Sequence, residues 1–325
     1  MGRKIGIRVN GIKMGEGDLG SASVILTEEI PMKGNLCALN LKVEEKIKTH
    51  SCMEYTTNIN TLKLIFKNQT LRSSSLTNAN LNDPMEKERV GVSRFANRNF
   101  ITCFCHLEHE CIPFWMHYGG RKRRDKVLLR FPNFSSKIEE CIHTDYAWTA
   151  EGKKCLFRDP LFQLIEDRFA NQSEYDIGNY IESLLMFDID YVPVTSEIFT
   201  KENMQKADID FSNISHCEDS VVEMKCYDTT VLGKQKSDPW DYEKETRIMS
   251  VLSLPYNRNW EYLDLRLKPE MFRGLKIILS PWSTQKRKEM VEGFLADSEL
   301  PQEIKDTITI EFSTLKGKLH FPTNR

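Results

Sequence analysis

Short strand-like runs alternate with short helical patterns along this 325-residue chain, and the strands are not separated by regular βαβ intervals. Residues 100–105 are rich in aromatic and β-branched side chains and predict a buried strand, whereas the apolar spacing over residues 58–67 predicts an amphipathic helix. A parallel α/β fold needs a crossover connection after almost every strand. The sequence therefore predicts an α+β fold of short mixed or antiparallel sheets with interleaved helices.

The composition limits what such a fold can bind. A net charge of −2 with 28% charged residues gives no overall attraction to nucleic acid or membranes, so any such binding has to be local. The nine cysteines are unevenly spaced, as is typical of reduced thiols rather than of a secreted disulfide framework. The sequence shows no apolar run of the roughly 18 to 20 residues that cross a bilayer. We therefore expect a soluble cytoplasmic protein without membrane contact.

The chain is predicted to contain a strand-rich N-terminal extension over residues 1–50 and a single α+β domain over residues 51–325. Within the domain, residues 54–57 are predicted to form a turn, and Asn58 is the predicted N-cap of the first helix. The helices are predicted at 58–67, 113–118, 157–185, 196–207, 220–231 and 284–296. The strands are predicted at 70–74, 100–105, 127–131, 189–194, 243–249, 263–267, 275–279, 308–312 and 318–321.

The N-terminal extension contains a glycine-rich segment, residues 14–20, that matches G-x-G-x-x-G. A dinucleotide fingerprint has to open a helix, but a strand-like run follows here, and Glu16 and Asp18 would repel a pyrophosphate. We therefore interpret the segment as a hairpin loop between strands at 4–9 and 22–26.

Residues 240–249 carry two carboxylates at strand spacing, between aromatic residues and an arginine. On a strand, Glu243, Glu245 and Arg247 would share one face. Two neighbouring carboxylates raise each other's pKa and suit acid–base chemistry or the stabilisation of a developing cation, and the arginine can keep one of them ionised. A solvated edge strand with an ion pair gives the same pattern, so both interpretations stay open.

A run of cysteine and histidine residues offers enough donors for zinc: Cys103, Cys105, His106, His109 and Cys111. The run lacks the two separated halves of a usual tetrahedral site, and Cys103 fits a small core residue on a strand. We expect no metal, unpaired cysteines and a buried Cys103.

Two aspartates followed by a Glu-x-Lys pattern resemble the metal-binding arrangement of nucleases. Asp208, Asp210 and Glu223 would hold a divalent cation through carboxylate oxygens if Glu223 lay on a strand. The apolar spacing around Glu223 fits a helix equally well. A metal-dependent nuclease is therefore kept as an alternative.

Trp115, His117 and Tyr118 precede two glycines and a basic run at 121–124. The aromatic rings can stack on a flat ligand and His117 can titrate, although such a cluster also suits the core beneath a loop. A basic run is usually a solvated loop, and it is the one place where phosphate or RNA is expected to dock.

Several of these motifs occur in the same order in one bacterial protein family. The ordered set is Tyr55-Thr56, the helix to Asn68, residues 70–75, residues 81–84, residues 103–105, residues 114–118, Trp240-x-Tyr242-Glu243-x-Glu245-x-Arg247 and residues 277–281. Over about residues 51–300 this set resembles the bacterial domain of unknown function family 2971. Members of that family tend to occur in accessory and phage-defence gene neighbourhoods.

The layout of that family is similar to that of ADP-ribosyltransferases, with an aromatic first strand, a serine-rich second strand and a late Glu-x-Glu. The resemblance implies an ADP-ribosyltransferase-like core with NAD as substrate and no metal. It assigns the catalytic set to Glu245, which helps a ribosyl oxocarbenium ion form, to Glu243, which orients the acceptor, and to Tyr55, an aromatic wall. Such a cationic transition state requires fixed negative charge beside the anomeric carbon.

The residues expected to contact the cofactor are Thr56, Arg72, Ser73, Ser74, Ser75, Asn82, Trp115, His117, Tyr118 and Arg247. At Glu54 the chain departs from the layout, which favours Arg or His beside the aromatic residue to grip the cofactor. Arg72 or Arg247 would then have to supply that positive charge.

These expectations together favour a cytosolic anti-phage defence effector that transfers or hydrolyses ADP-ribose from NAD. A phage or host protein or an RNA would be the acceptor, and a subunit of a neighbouring defence system is a further expected partner. The alternatives are a non-enzymatic sensor or interaction module that binds a ligand or phage protein, and the nuclease.

Overall fold

The computed structural model of the protein describes residues 4–9, 12–18, 23–26, 42–79, 81–92, 96–107, 109–120, 122–149, 154–157, 180–195, 221–224, 232–252 and 260–319. Its α-helices are α1 (Ile59–Asn68), α2 (Pro84–Val92), α3 (Ile112–His117), α4 (Phe134–Cys141), α5 (Gln285–Ala296) and α6 (Gln302–Lys305). Its 3₁₀ helices are Glu45–Thr49, Ala96–Arg98, Arg123–Asp125, Asp238–Glu243 and Pro269–Phe272.

The first nine strands are β1 (Lys4–Val9), β2 (Ile12–Asp18), β3 (Ser23–Leu26), β4 (Lys42–Val43), β5 (Cys52–Asn58), β6 (Thr70–Ser75), β7 (Asn99–Cys105), β8 (Lys126–Pro132) and β9 (Ile142–Thr149). The others are β10 (Lys154–Phe157), β11 (Tyr180–Asp188), β12 (Asp190–Val192), β13 (Val221–Met224), β14 (Gln235–Ser237), β15 (Glu245–Leu252), β16 (Tyr262–Leu267), β17 (Lys276–Leu279) and β18 (Thr309–Phe312).

The fold is α+β, as predicted, with a mixed sheet of twelve strands at its centre. Seven of these strands pair in a closed ring in the order β15, β11, β10, β9, β16, β6 and β7, with β7 returning to β15. From β7 the sheet also continues outward through β5, β8, β17 and β18, while β4 pairs with β11. Most neighbours are antiparallel, and the pairs β10–β11, β4–β11 and β17–β18 are parallel. Strand β7 is thus where the ring and the outward branch meet.

Helix α1 forms where the sequence predicts it and packs on the core. The side chain of Asn58 accepts a hydrogen bond from the backbone N–H of Thr61 at 3.0 Å, so Asn58 is the N-cap. Four apolar residues of α1 are buried against the main core cluster: Ile59, Leu62, Ile65 and Phe66. Because α1 connects β5 to β6, this packing fixes two strands that flank the site described below.

Two predicted helices are wrong where the structure describes them. In the predicted helix 157–185, residues 180–185 belong to β11, and in the predicted helix 220–231, Val221–Met224 forms β13. The apolar side chains of β11 enter two separate core clusters, and a run that is buried on both faces carries no period that separates a strand from a helix. Residues 158–179 and the predicted helix 196–207 lie outside the described residues.

Two smaller predictions near the termini also fail. Residues 14–18 of the predicted hairpin loop belong to β2, which pairs with β1 on one side and β3 on the other. Backbone pairing on both edges satisfies every strand position whatever its side chain, which is why glycines are accommodated there. Lys318 of the predicted last strand lies in a turn, and residues 320–325 lie outside the described residues.

The four-stranded sheet β13–β1–β2–β3 contains strands from both sides of the predicted domain boundary at residue 50. Strand β13, from the predicted domain of residues 51–325, pairs in parallel with β1 from the predicted extension. The division at residue 50 stays a prediction. In the part of the chain that the structure describes, no helix combines the length and the apolar character needed to cross a membrane.

Candidate functional site

A cleft opens beside β7 because two neighbouring strands diverge from the same edge of it. The other edge of β7 pairs with β15 over its whole length. On the diverging edge, Phe100 and Ile101 pair with β6, whereas Cys105 pairs with Glu54 of β5. Residues 102–104 therefore face the gap between β5 and β6, where the cleft has a volume of about 750 Å³.

Most of the residues that the sequence singled out meet in this cleft. Ten of the thirteen expected site residues line it: Tyr55, Thr56, Arg72, Ser74, Asn82, His117, Tyr118, Glu243, Glu245 and Arg247. They come from β5, β6, α3 and β15 and from the segments that follow β6 and precede β15. Side chains that are far apart in the sequence thus converge on one concavity, which is what separates a site from scattered surface charge.

Ser73 and Ser75 do not line the cleft, because side chains alternate along β6. Their hydroxyl groups are hydrogen-bonded to Thr102 at 2.6 Å and to Thr77 at 2.9 Å, respectively. Of the expected serine strand, only Ser74 therefore faces the ligand space.

Helix α3 divides the aromatic cluster between the core and the cleft. Trp115 is buried against Leu128 and Ile278, and its Nε1 donates a hydrogen bond to Glu110 at 3.0 Å. His117 is exposed and, like Tyr118, lines the cleft. Trp115 is therefore a core residue, whereas His117 and Tyr118 line the pocket.

Glu243 reaches the cleft from the 3₁₀ helix Asp238–Glu243 rather than from the strand predicted for it. Lys244 follows in the left-handed conformation with φ of 44°, and β15 begins only at Glu245. Strand alternation therefore does not relate the two glutamates. Glu245 and Arg247 do share one face, since Arg247 Nε donates to Glu245 Oε1 at 2.7 Å.

Lys236 of β14 joins the two glutamates. Its buried Nζ donates to Glu243 Oε2 at 2.5 Å, to Glu245 Oε2 at 3.0 Å and to Asn82 Oδ1 at 2.9 Å. Burial by itself lowers the pKa of Lys236, but Glu245 and Glu243 raise it above its ordinary value, so the ammonium stays charged. The sequence pattern did not single out this lysine, because it lies on a different strand from Glu245.

Arg247 is buried between Glu245 and Glu86 of α2. Its Nη2 donates to Glu86 Oε2 at 3.2 Å, and its Nη1 donates to the carbonyl oxygen of Gly233 at 2.7 Å. Sequence reasoning missed Glu86 as well, since only the fold brings α2 to β15. We call Glu86, Lys236, Glu243, Glu245 and Arg247 the carboxylate cluster.

Glu245 is held ionised within this cluster. Burial alone raises the pKa of its carboxyl, but the charges of Arg247 and Lys236 outweigh burial and lower the pKa to about 2. Glu245 therefore presents fixed negative charge to the cleft at neutral pH.

Tyr118 and Asn82 complete the surroundings of Glu243. The Tyr118 hydroxyl donates to Glu243 Oε1, and Asn82 Nδ2 donates to the same oxygen at 2.7 Å. Burial, followed by the charge of Glu243, raises the pKa of Tyr118 far above its usual range, so the phenol stays protonated. The Glu243 carboxylate is thus oriented by three donors, counting Lys236.

The positive charge expected from Arg72 or Arg247 is already paired within the protein. Arg72 Nε and Nη2 donate to the two carboxylate oxygens of Asp264 at 2.9 and 3.1 Å. The buried carboxylate of Glu54, where the family layout favours a cation, accepts from Arg130 Nε at 2.6 Å. Neither Arg72 nor Arg247 therefore brings an unpaired charge to a ligand.

Cys103 is exposed in the cleft and is not the core residue that the sequence predicted. Desolvation of the thiol, followed by the negative charge of Glu245, raises the pKa of Cys103 well above its ordinary value. Within the described residues, Cys52, Cys103, Cys105 and Cys111 are all free.

The cysteine and histidine run does not form a metal cluster among the described residues, but His106 belongs to another polar group. His50, His106 and Asp188 place ligand atoms within 4.8 Å of one another. The two imidazole rings stack with centroids 3.8 Å apart and planes 12° apart. Because a nitrogen lone pair lies in the plane of its ring, nearly parallel stacked rings do not aim their lone pairs at one ion.

This second group lies behind β15. His50 Nε2 is 3.0 Å from Asp188 Oδ2, Thr246 Oγ1 donates to Asp188 Oδ1 at 2.5 Å, and His106 Nδ1 is 3.1 Å from Thr246 Oγ1. We call these four residues the histidine cluster. Burial, followed by the charge of His50, lowers the pKa of His106 to about 4.

The remaining candidate motifs are only partly described. Glu223 lies on β13, the strand that the nuclease alternative requires, but Asp208 and Asp210 lie outside the described residues. In the basic run, Arg123 lines the cleft, whereas residue 121 lies outside the described residues.

The chain matches no family model, no curated protein and no solved structure. The resemblance to the bacterial domain of unknown function family 2971 therefore stays a prediction. A function has to be proposed from the geometry of the cleft.

Proposed function

We propose that the cleft binds NAD and that the protein transfers or hydrolyses ADP-ribose, as a cytosolic anti-phage defence effector. The observation that carries this proposal is the convergence of Tyr55, Ser74 and Glu245 in one cleft of about 750 Å³. Pockets of roughly 300–1,000 Å³ are typical for ligands of this size. In this proposal β5, β6 and β15 form an ADP-ribosyltransferase-like core around the diverging edge of β7.

The proposed chemistry uses Glu245 as fixed negative charge. The bond between the anomeric carbon and the nicotinamide nitrogen breaks, its electron pair leaves with nicotinamide, and a ribosyl oxocarbenium ion remains. The ionised carboxylate of Glu245 stabilises this cation. Water or an acceptor then bonds to the anomeric carbon and releases a proton to solvent, and Glu243, oriented by Lys236 and Tyr118, positions that nucleophile.

The charges beside the cleft fit a ligand with separated positive and negative parts. The carboxylate cluster contains three carboxylates and two cations, a net charge of −1, and four of its members line the cleft while Glu86 lies behind Arg247. Arg123 is exposed and lines the cleft near α3, whereas the buried Nζ of Lys126 is held by the carbonyl oxygens of Trp115 and Met116. NAD, with a pyridinium ring and a diphosphate, has this polarity.

A second candidate function is favoured by one observation. Both carboxylate oxygens of Glu245 already accept hydrogen bonds, Oε1 from Arg247 and Oε2 from Lys236. A carboxylate with both oxygens already engaged by buried cations suits a module that binds a ligand without turnover, such as a sensor of a nucleotide or of a phage protein. The two functions differ in whether bound NAD is cleaved.

The test is to incubate the purified protein with NAD and to measure nicotinamide release, with and without cell extract as a source of acceptors. Glu245→Gln should lower the rate by about a hundredfold or more, because it removes the charge that the transition state needs. Glu243→Gln should reduce transfer to an acceptor more than hydrolysis. Asp241→Asn is the matched control, since Asp241 is an exposed carboxylate of the same 3₁₀ helix and should leave the rate unchanged.

Binding has to be measured beside turnover. Glu245→Gln leaves two buried cations underpaired, so circular dichroism and urea unfolding must show that the variant is folded. NAD binding by the wild-type protein without nicotinamide release would favour the sensor. Full activity of a folded Glu245→Gln variant would overturn the proposed role of Glu245.

A further inference from the structure

The guanidinium group of Arg72 is held flat against the wall of the cleft. Asp264 lies directly across from Arg72 in the pairing of β6 with β16, and two hydrogen bonds of 2.9 and 3.1 Å join the two side chains. The Tyr262 ring lies on one face of the guanidinium, with its centroid 3.4 Å from Cζ. Two residues of β16, Tyr262 and Asp264, therefore fix the orientation of the guanidinium group.

These contacts decide which part of Arg72 is open to a ligand. Phosphates and carboxylates bind a guanidinium through its N–H edge, and the edge formed by Nε and Nη2 is engaged by Asp264, which also neutralises the charge. Tyr262 covers one face. Yet the side chain is 44% exposed and lines the cleft, so the second face, together with the N–H groups of Nη1, is what Asp264 and Tyr262 leave uncovered.

We propose that the open face of Arg72 is a stacking subsite for a neutral, electron-rich heteroaromatic ring, and that its occupant is the purine of an adenosine nucleotide. The naming of that nucleotide as the adenosine half of NAD rests on the proposed function. An electron-poor guanidinium attracts the π-face of a base, whereas it repels the pyridinium ring of nicotinamide. The two rings of NAD would thus be sorted, the pyridinium toward the carboxylate cluster and the purine onto Arg72.

The subsite can be tested without any turnover, by isothermal titration of the full chain with three small probes. AMP carries the purine, nicotinamide mononucleotide carries the pyridinium, and ribose 5-phosphate carries neither. We expect AMP to bind, with its purine protons shifted upfield in NMR spectra as stacking requires, and ribose 5-phosphate to bind at least tenfold more weakly. AMP binding without nicotinamide release would support this subsite while contradicting the proposed reaction.

Two variants separate stacking from charge. Arg72→Lys keeps the positive charge but loses the plane, and Tyr262→Leu removes the ring that holds the plane; each should weaken AMP binding by about tenfold, the size of one stacking contact. Arg287→Lys is the matched control, because Arg287 is also paired with an aspartate, Asp125, and does not line the cleft.

Several results would overturn the subsite. These are no binding of AMP to the wild-type protein, equal binding of ribose 5-phosphate and AMP, or unchanged AMP affinity in both Arg72→Lys and Tyr262→Leu. Nicotinamide mononucleotide binding that depends on Arg72 as strongly as AMP binding does would overturn the preference for an electron-rich ring.

Discussion

Glu245 and Thr246 are neighbours at the start of β15, and their side chains enter polar clusters of two different kinds on opposite faces of the strand. The carboxylate cluster in front is almost fully buried, and each of its charges has an oppositely charged partner at short range. The histidine cluster behind it is partly exposed and contains a single carboxylate for two imidazoles. Charge is thus fixed on the face that lines the cleft and titratable on the face that does not.

Arg247→Met should produce the largest loss of stability, because it disrupts the carboxylate cluster. It leaves the buried carboxylates of Glu86 and Glu245 without the cation between them, and removing one partner of a buried ion pair costs about 3–5 kcal/mol. Urea unfolding at pH 7 measures this loss. On the other face, Thr246→Val should cost only about 1 kcal/mol. Equal costs for the two variants would mean that the faces do not differ as described.

Lys236→Met should have the next largest effect, about 2–3 kcal/mol at pH 7, since it removes a charged donor from two carboxylates. Without the ammonium, the pair of glutamates should bind a proton more readily in the folded state than in the unfolded state. The loss should therefore shrink as the pH falls from 7 to 5. Addition of Glu243→Gln should restore part of the stability at pH 7, and no restoration would argue against charge as the cause.

The histidine cluster should make the free energy of unfolding depend on pH. Burial and then His50 lower the pKa of His106 from 6.5 to about 4, so the unfolded state binds the proton more readily. Stability from this residue is complete above pH 6.5 and is lost as the pH falls toward 4, by about 1–3 kcal/mol.

The groups that face His106 are His50, Asp188, Lys46 and Lys244. His106→Gln should remove the slope between pH 6.5 and 4, and Lys286→Gln, at an exposed position of α5, is a suitable control. An unchanged slope in His106→Gln would place the titration on another group.

The smallest effect is expected from metals. Zinc chloride or a chelator should change the free energy of unfolding by less than about 0.5 kcal/mol, because the stacked rings of His50 and His106 do not direct two lone pairs at one ion. Stoichiometric zinc in the purified protein would contradict this and would make the histidine cluster a metal site.

Local patterns predicted α1, β6, β7 and most of β15, but the predicted turn at 54–57 is part of β5, and α2 and β14 were not predicted. Helix α1 and the shared face of Glu245 and Arg247 follow from periods of 3.6 and 2 in the sequence. The same period of 2 would have excluded Ser73 and Ser75 once Arg72 was placed in the cleft. The left-handed conformation of Lys244 has no such signature, so Glu243 was assigned to the wrong element.

The partners of the charged residues were beyond reach of the sequence for a different reason. Lys236 and Glu86 contact Glu245 and Arg247 only because α2 and β14 pack beside β15, and nothing in a local pattern encodes that packing. The isolated pattern of two glutamates and an arginine fitted a surface ion pair as well as a site. The burial of these side chains, which only the fold supplies, excludes the surface ion pair.

The pairing of β7 with β15 also has a consequence for how the protein reaches its native state. His106 and Thr246, which contact each other at one end of this pairing, are 140 residues apart in the chain. Contacts between such distant segments form late, because closing a long loop loses entropy before any contact is gained. The walls supplied by β5 and β6, which α1 joins directly, are close in sequence and can form early. A newly made chain would therefore contain these walls before Glu245 reaches them, and the protein would become competent only when β15 docks.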